Sequence, residues 1–350
     1  MPSAALLTTI DPMHRRPGNV ATVLALAIAL AVTGIAVAKK KHHRGYLPRG
    51  PYPSLGSCPV FPASSAAANT PSAGDESAWN QDISAAPPDP NSAAYISYIN
   101  AHGGDLVHPD FGSPREYGFP YAVVGKKQKR TKVNFTAYGD ESDHGAYRVP
   151  LKALVEGGQT SDGDRHVLTV DSARCKLYEL YRAFARKQPK PHWNADTGVI
   201  WDLRSAALRT EGFTSADAAG LPIFPGLVRY DEAASGHINH AIRVTVDSTQ
   251  NAYLHPASHC AGDSSSASAP PMGLRLRLGA GYDISGITGP AHAIAAAMKQ
   301  YGVIVADNGS NWYISGTSDR RWSDENLDQL KSIPGSAFQA VQSAASVRTC

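Results

Sequence analysis

The 350-residue chain carries little charge and few cysteines. Asp, Glu, Lys and Arg make up 18% of it, and 33 Lys and Arg against 30 Asp and Glu give a formal net charge of only +3. A chain that is 42% hydrophobic with so small a net charge is not expected to be disordered, and its composition gives no signal for nucleic-acid binding. The four cysteines form no CxxC pair, which argues against zinc and thioredoxin-type chemistry.

Short catalytic motifs are also missing. The sequence contains no GxSxG, no HExxH, no Walker loop, no EF-hand spacing and no GxGxxG followed by an acidic residue. Any active site must therefore be assembled by the fold from residues that lie far apart in the sequence.

Turn-forming residues and two-residue periodicity predict a mainly β fold. The chain has 31 Gly and 25 Pro, more than a helical bundle would carry, and hydrophobic residues alternate over 133–138, 238–246 and 274–278. Asn308-Gly309 between two apolar segments predicts a hairpin of 303–306 with 312–315. We expect antiparallel sheets of sandwich or jelly-roll type with two or three peripheral helices, the alternative being an α+β fold.

Only two segments favour helices. Apolar spacing behind a proline predicts one over Pro290–Tyr301, and a Ser cap with acidic residues behind it predicts another over Ser323–Lys331. Residues 172–186 fit either helical spacing or strand composition, and we favour strand.

The N-terminus predicts export. An apolar run covers residues 20–38 behind a basic segment, and it ends in Ala36-Val37-Ala38, a small-x-small pattern typical of signal-peptide cleavage. The run also reaches the length of a membrane span, so an uncleaved anchor is the alternative. We therefore predict a signal peptide or anchor at 1–38, a Pro/Ser/Ala-rich tether at 39–77 and one β-rich domain at 78–350. The protein would be secreted or held in the cell envelope, touching the membrane only through an uncleaved N-terminal segment.

An even number of cysteines suits an oxidising compartment. Three pairings are open; we favour Cys175 with Cys260 and Cys58 with Cys350, and free buried thiols are the alternative.

Four strings carry a resemblance: SDGDRHVLTVD, CKLYELY, SADAAGLPIFPGLVRYDE and ADNGSNWYISG. With them, the region from about 78 to 345 resembles a widespread group of secreted bacterial proteins without an assigned activity. The resemblance implies an exported single domain, and it supplies no catalytic residues.

Carboxylates near aromatic residues suggest glycoside chemistry, which needs one protonated and one ionised carboxyl group. Glu179, between Tyr178 and Tyr181, is the candidate proton donor, and Asp231 or Glu232 is the candidate base or nucleophile. For each of them a structural carboxylate is the alternative interpretation.

A second candidate base is His240, which falls on the apolar face of its expected strand. A core histidine is the alternative. In a lyase, His240 or Tyr181 would be the base and Arg243 would neutralise a uronate. The predicted substrate-binding set has five members: Tyr178, Tyr181, Arg243 and, at the expected hairpin, Asp307 and Trp312.

Metal binding and surface charge give further hypotheses. Five acidic residues in two loops could supply the oxygen ligands that Ca²⁺ prefers: Asp140, Glu141, Asp143, Asp162 and Asp164. The spacing of His255 and His259 near Cys260 suggests a transition-metal site only on a helix, which Pro256 disfavours. The basic run 126–132 is either a solvated loop or an attraction site for an anionic glycan or wall polymer.

Two functional hypotheses follow. The first is an exported carbohydrate-active enzyme, a hydrolase or lyase acting on an extracellular polysaccharide without a cofactor, apart from a possible Ca²⁺. The second is a noncatalytic protein that binds a glycan or the cell wall, for which exposed aromatic side chains suffice. Neither hypothesis has a nucleic-acid partner.

Overall fold

The computed structural model of the protein describes residues 51–60, 77–112 and 117–350. The chain divides into two units, Met1–His42 and His43–Cys350, and the first lies outside the described residues. The expected signal peptide or anchor at 1–38 therefore lies outside them too, as does most of the expected tether at 39–77. Within the described ranges, no helix is long and apolar enough to cross a membrane.

Strands dominate the regular structure of the described residues. They are β1 (Tyr121–Val124), β2 (Lys132–Phe135), β3 (Val167–Asp171), β4 (Lys176–Tyr181), β5 (Phe184–Arg186), β6 (His192–Ala195), β7 (Thr197–Asp202), β8 (Ile242–Val246), β9 (Ala252–Tyr253), β10 (Arg275–Leu278), β11 (Val303–Asn308), β12 (Tyr313–Ile314), β13 (Phe338–Ala340) and β14 (Arg348–Thr349). The α-helices are α1 (Ser92–Ala101), α2 (Tyr230–Ala234), α3 (Gly289–Gln300) and α4 (Asp324–Asp328). The mainly β class with few helices is confirmed.

The strands form mixed sheets. One sheet has the order β1-β3-β4-β7, a second has β12-β8-β11-β10-β13, a third has β2-β6-β5, and β14 pairs with β9. The pairs β1/β3, β2/β6 and β8/β11 are parallel, so the prediction of antiparallel sheets is wrong for these pairs. A parallel neighbour needs a long crossover connection, which local turn signals in the sequence do not reveal.

The β1-β3-β4-β7 sheet lies between two hydrophobic cores. Alternate residues of β3 and β4 point to opposite faces, so Leu168 and Leu177 belong to the main core, which also contains β8 and α3. Val167 and Leu180 belong to a smaller core, where they join Trp193 on the inner face of the β2-β6-β5 sheet. This central sheet therefore packs against a hydrophobic core on each of its faces.

The expected hairpin at Asn308-Gly309 is wrong. β11 and β12 do not pair with each other, because β8 lies between them, parallel to β11 and antiparallel to β12. Neither Asn308 nor Gly309 adopts the positive φ that a tight hairpin turn requires. The buried strand β8 instead pairs with both segments.

The structure confirms the two predicted helices and the strand interpretation of residues 172–186. α3 begins one residue before Pro290 and ends one before Tyr301, and Ser323 caps α4 by accepting from the backbone N–H of Asn326. Residues 172–186 contain β4 and β5, which confirms the strand interpretation. The strand expected from residue 238 begins only at Ile242, so His240 precedes it.

The four cysteines form two disulfides, but the favoured pairing is wrong. Cys58 bonds to Cys175, and Cys260 bonds to Cys350. The first bond joins the segment 51–60, expected to belong to a tether, to the domain. Tyr52 in that segment stacks on Tyr121 with ring centroids 3.8 Å apart, so these residues bury apolar surface that the tether prediction did not allow for.

Candidate functional site

Two adjoining cavities lie where loops from the first two sheets meet. Their volumes are about 480 and 400 Å³, within the range of small-molecule sites. Four residues line both of them: Asp164, His166, Asp307 and Asn308. These shared residues form the centre of the candidate site.

A bulge in β11 places Asp307 in this centre. The register against β8 shifts between Val305 and Asp307, so one extra residue is inserted and the strand bends. Such bulges redirect a side chain at the end of a strand. The carboxyl group of Asp307 is 28% exposed in the cavities, and one of its oxygens accepts from the backbone N–H of Asn308 at 2.9 Å.

Arg243 lies beneath the cavities and joins two carboxyl groups. Its guanidinium contacts Asp217 through Nε and donates to Asp307 at 3.1 Å and to the hydroxyl of Ser315 at 2.9 Å. Both Arg243 and Asp217 are only 1% exposed. Burial raises the pKa of Asp217, and burial raises the pKa of Asp307 to about 6, in each case against the charge of Arg243. Two carboxyl groups thus share one buried cation, and burial favours the protonated form of each; Asp307 is the more exposed of the two.

Asp164 and His166 reach the cavities from the loop before β3. Arg165 between them has a φ of 55°, in the left-handed region, and its guanidinium donates to the carbonyl of Ser161 at 2.6 Å. This anchored turn leaves Asp164 exposed while His166 is buried. In the described part of the chain the carboxylate of Asp164 has no hydrogen-bond or ion-pair partner, so it is free to act on a bound molecule.

His166 faces an acceptor at each ring nitrogen. Nδ1 lies 2.5 Å from a carboxylate oxygen of Glu156, and Nε2 lies 2.9 Å from the carbonyl oxygen of Ala216. Only the imidazolium can donate at both positions. Burial by itself lowers the pKa of His166, but the charge and hydrogen bond of Glu156 outweigh it and raise the pKa to about 9.

This pKa predicts a loss of stability at alkaline pH. Below about pH 6.5 the histidine is protonated in both the folded and the unfolded chain, so its stabilisation is complete there; it is lost as pH rises toward 9. The shift corresponds to about 3 kcal/mol. We expect urea unfolding between pH 6.5 and 9.5 to show this decline, and His166→Asn, less stable overall, to show a flatter one. Equal slopes in the two proteins would contradict a charged His166.

The cavity walls carry an excess of negative charge. Among the described residues, five acids line one or both cavities, against Arg243 and two histidines, His166 and His259; the acids are Asp110, Glu156, Asp164, Asp217 and Asp307. Asp110 lies 3.0 Å from Lys331, and Glu156 is paired with His166. Because Arg243 and His166 are already engaged by carboxylates, neither is available to an anionic ligand.

The structure places the expected proton donor, Glu179, away from the cavities. Its side chain is fully buried and accepts from the indole N–H of Trp201 at 2.9 Å and from the backbone N–H groups of Ile223 and Phe224. Burial raises its pKa to about 7, against these three donors. Glu179 lines neither cavity and instead anchors the 221–226 loop through the backbone N–H groups of Ile223 and Phe224.

Glu179→Gln is therefore expected to affect stability. The NH2 group of the glutamine side chain is a donor and would face the N–H donors that the carboxylate now accepts from. Buried donors would be left without acceptors, which lowers the free energy of unfolding by about 1–3 kcal/mol. Urea denaturation measures this loss, and Glu325→Gln, at an exposed position of α4, is the control. A stability equal to that of the unmodified protein would contradict the anchoring role.

The other expected acid–base residues form a separate cluster at the start of α2. Glu232 accepts from the backbone N–H of Arg229 at 2.8 Å and lies 3.0 Å from Nε2 of His240, which is 4% exposed. Burial raises the pKa of Glu232, but Arg229 and His240 outweigh it and hold the pKa below its usual value. Asp231 is exposed and pairs with Arg321. This cluster stabilises the helix start and lines neither cavity.

The predicted substrate-binding residues divide in the same way. Tyr181, Arg243 and Asp307 line the cavities, whereas Tyr178 is buried in the smaller core. Trp312 is 1% exposed, and its indole N–H donates to Asn100 at 2.8 Å. Trp312 therefore serves the core and not the site.

The five acids considered for calcium do not come together. Asp143 pairs with Arg209 at 3.0 Å and Glu141 accepts from the backbone N–H of Thr214, while Asp164 faces the cavities. Asp140 and Asp162 are exposed. Among the described residues, no group of three or more His, Cys, Asp or Glu side chains could hold a metal ion, and that holds for His255 and His259 as well.

Sequence reasoning missed His166, Glu156 and Asn308. His166 and Glu156 are ten residues apart on either side of a loop, and no periodicity joins them. The string SDGDRHVLTVD did contain a signal, since polar Asp164 and His166 stand directly before a wholly buried strand.

No protein-family model, no curated protein and no solved structure matches the chain, so a functional proposal rests on the residues of the two cavities.

Proposed function

We propose that the protein hydrolyses glycosidic bonds in a polysaccharide of neutral or amino sugars. Asp307 is the proton donor and Asp164 is the ionised carboxylate. The observation that carries the proposal is that these two carboxyl groups line the same two cavities in different environments. Asp307 is bound to a buried network and has a pKa of about 6, whereas Asp164 is exposed and has no partner among the described residues. An acid and an ionised carboxylate on one cavity are what glycoside hydrolysis requires.

The chemistry assigns each group a step. Asp307 gives its proton to the glycosidic oxygen as the bond to the anomeric carbon breaks. Asp164 either removes a proton from the water that attacks the anomeric carbon, or attacks that carbon itself. In the second case the Asp307 carboxylate takes a proton from a water molecule, which attacks the same carbon and releases the sugar from Asp164. Arg243 and His166 are positioning residues, because they hold Asp307 and the cavity wall through contacts within the protein.

The proposed substrate class rests on the charge of the cavity walls and on an exposed tyrosine at each cavity. The surplus of carboxylates disfavours a uronate, and Arg243, occupied by Asp217, Asp307 and Ser315, is not free to neutralise one as the lyase hypothesis required. Tyr138 at the larger cavity and Tyr117 at the smaller one are 48% and 60% exposed. Exposed rings of this kind can stack on the apolar faces of sugars.

The same tyrosines also support the noncatalytic alternative, a glycan-binding protein. The two functions are distinguished by incubating the purified protein with neutral glucans, xylan, chitin, chitosan and polygalacturonate, and assaying new reducing ends and unsaturated products. Reducing ends from a neutral or amino polysaccharide, without unsaturation, are the expected result. Binding without product formation would favour the noncatalytic function, and unsaturated products would favour a lyase.

A further inference from the structure

The outer face of the β2-β6-β5 sheet carries a row of basic side chains. Lys132 pairs with His192 across β2 and β6, and Arg186 pairs with the same His192 across β5 and β6. Directly paired residues point to the same face of a sheet, about 5 Å apart. The next residues along, Val133, Trp193 and Ala185, pack in the smaller core, so the basic row lies on the solvent side.

The connecting loops extend this row into a larger patch. β2 and β6 run parallel, so residues 126–131 before β2 and the 187–191 turn before β6 lie at the same end of the sheet. We define the basic patch by eight exposed residues: Lys126, Lys127, Lys129, Arg130, Lys132, Arg186, Lys187 and Lys190.

The two chain segments that form the patch carry no acidic residue of their own. Residues 121–139 and 183–195 contain neither Asp nor Glu. Within the described chain, none of the eight basic residues forms an ion pair, whereas Arg182, just outside the patch, lies 3.6 Å from Asp196. Eight like charges without partners repel one another, a cost that a bound polyanion would relieve.

We infer that this basic patch binds a linear anionic polysaccharide. The chemistry of the patch favours that partner over two other polyanions. A membrane surface is usually bound with apolar side chains that enter the lipid, and single-stranded nucleic acid with exposed aromatic rings. The exposed large apolar side chains of the described residues are Leu106, Tyr117, Tyr138, Leu208 and Val347, and none belongs to the patch. The patch therefore offers positive charge at one end of the sheet without exposed apolar or aromatic side chains. Such a surface suits a flexible polysaccharide that carries carboxylate or sulfate groups.

The inference does not depend on the proposed hydrolase. It concerns a different surface and the opposite charge, and it would hold for a noncatalytic protein. A protein that hydrolyses a neutral glycan without binding a polyanion would leave the proposed function standing and remove this one.

Binding of the full chain to polygalacturonate and dextran sulfate tests the inference, with neutral dextran as the uncharged comparison. We expect binding to both anionic polymers and none to dextran, weakening at least tenfold between 50 and 500 mM NaCl because salt screens exposed charges. The triple variant Lys132→Gln, Arg186→Gln, Lys190→Gln is expected to bind at least tenfold more weakly. A control triple, Arg204→Gln, Lys299→Gln, Arg348→Gln, removes the same charge elsewhere and should bind as the unmodified protein does. Circular dichroism checks that both triples fold.

Equal loss in the two triples, or equal binding to dextran, would overturn the inference, because bulk charge or the sugar backbone would then explain the binding. Tighter binding to vesicles of phosphatidylglycerol or to single-stranded DNA, lost in the patch triple, would overturn the choice of polysaccharide as the partner.

Discussion

Arg243→Met is expected to lower the free energy of unfolding by about 3–5 kcal/mol, the usual cost of removing one partner of a buried ion pair. Arg243 is 1% exposed and is the cation shared by Asp217 and Asp307. Methionine fills much of the same space without a charge, so the loss is electrostatic more than steric. Urea denaturation at pH 7 measures it.

The control is an arginine–aspartate pair on the surface. Arg182 is 53% exposed and lies 3.6 Å from Asp196, so Arg182→Met should cost less than about 1 kcal/mol. The double variant Arg243→Met, Asp217→Asn removes a buried carboxylate together with the cation and should recover part of the loss. An Arg243→Met protein within 1 kcal/mol of the unmodified one would show that the network does not stabilise the fold.

Asp307→Asn and Asp164→Asn are each expected to reduce kcat/KM for the glycan by a factor of about 10²–10⁴, the usual contribution of a general acid or base. Asparagine keeps the shape of the side chain but provides no transferable carboxyl proton and no carboxylate. Asp164 has no partner to lose within the described residues, so the melting temperature of its variant should be nearly unchanged. Initial rates of reducing-end release, measured with each folded variant, give the comparison.

Asp162→Asn is the matched control. Asp162 is exposed, lies two residues from Asp164 and lines neither cavity, so this variant should keep full activity. Full activity in Asp164→Asn or Asp307→Asn would remove that residue from the mechanism. An equal loss in Asp162→Asn would point to a general effect of the loop.

Patterns local in sequence predicted much of the fold. The mainly β class and the two helices followed from alternation and capping, which depend on residues a few positions apart. The Asn308-Gly309 hairpin and the favoured disulfides failed because they depend on which distant strands pair. The position of β8 between β11 and β12 leaves no trace in the turn sequence. Cys58 bonds to Cys175, 117 residues away, in a segment where Tyr52 also packs on Tyr121.

The candidate site was harder to foresee, for the same reason. Tyr181, Arg243, Asp307 and Asp164 were singled out, but the last was considered as a calcium ligand and Arg243 as a ligand-facing cation. Their environments come from a bulge in β11, a left-handed Arg165 and a loop that brings Asp217 beneath the cavities. Glu179 looked suitable because tyrosines flank it, yet its burial is complete, and sequence neighbours do not distinguish a desolvated acid in a cavity from one in a core.

The most direct test of the central claim is the pH dependence of glycan hydrolysis by the unmodified protein and by Asp307→Asn. An acid with a pKa of about 6 donates only while protonated, so kcat/KM of the unmodified protein should fall as pH rises through about 6, and the variant should be slow at every pH without that step. No product from any neutral or amino polysaccharide between pH 4 and 8, or the same profile in both proteins, would contradict the proposed hydrolase.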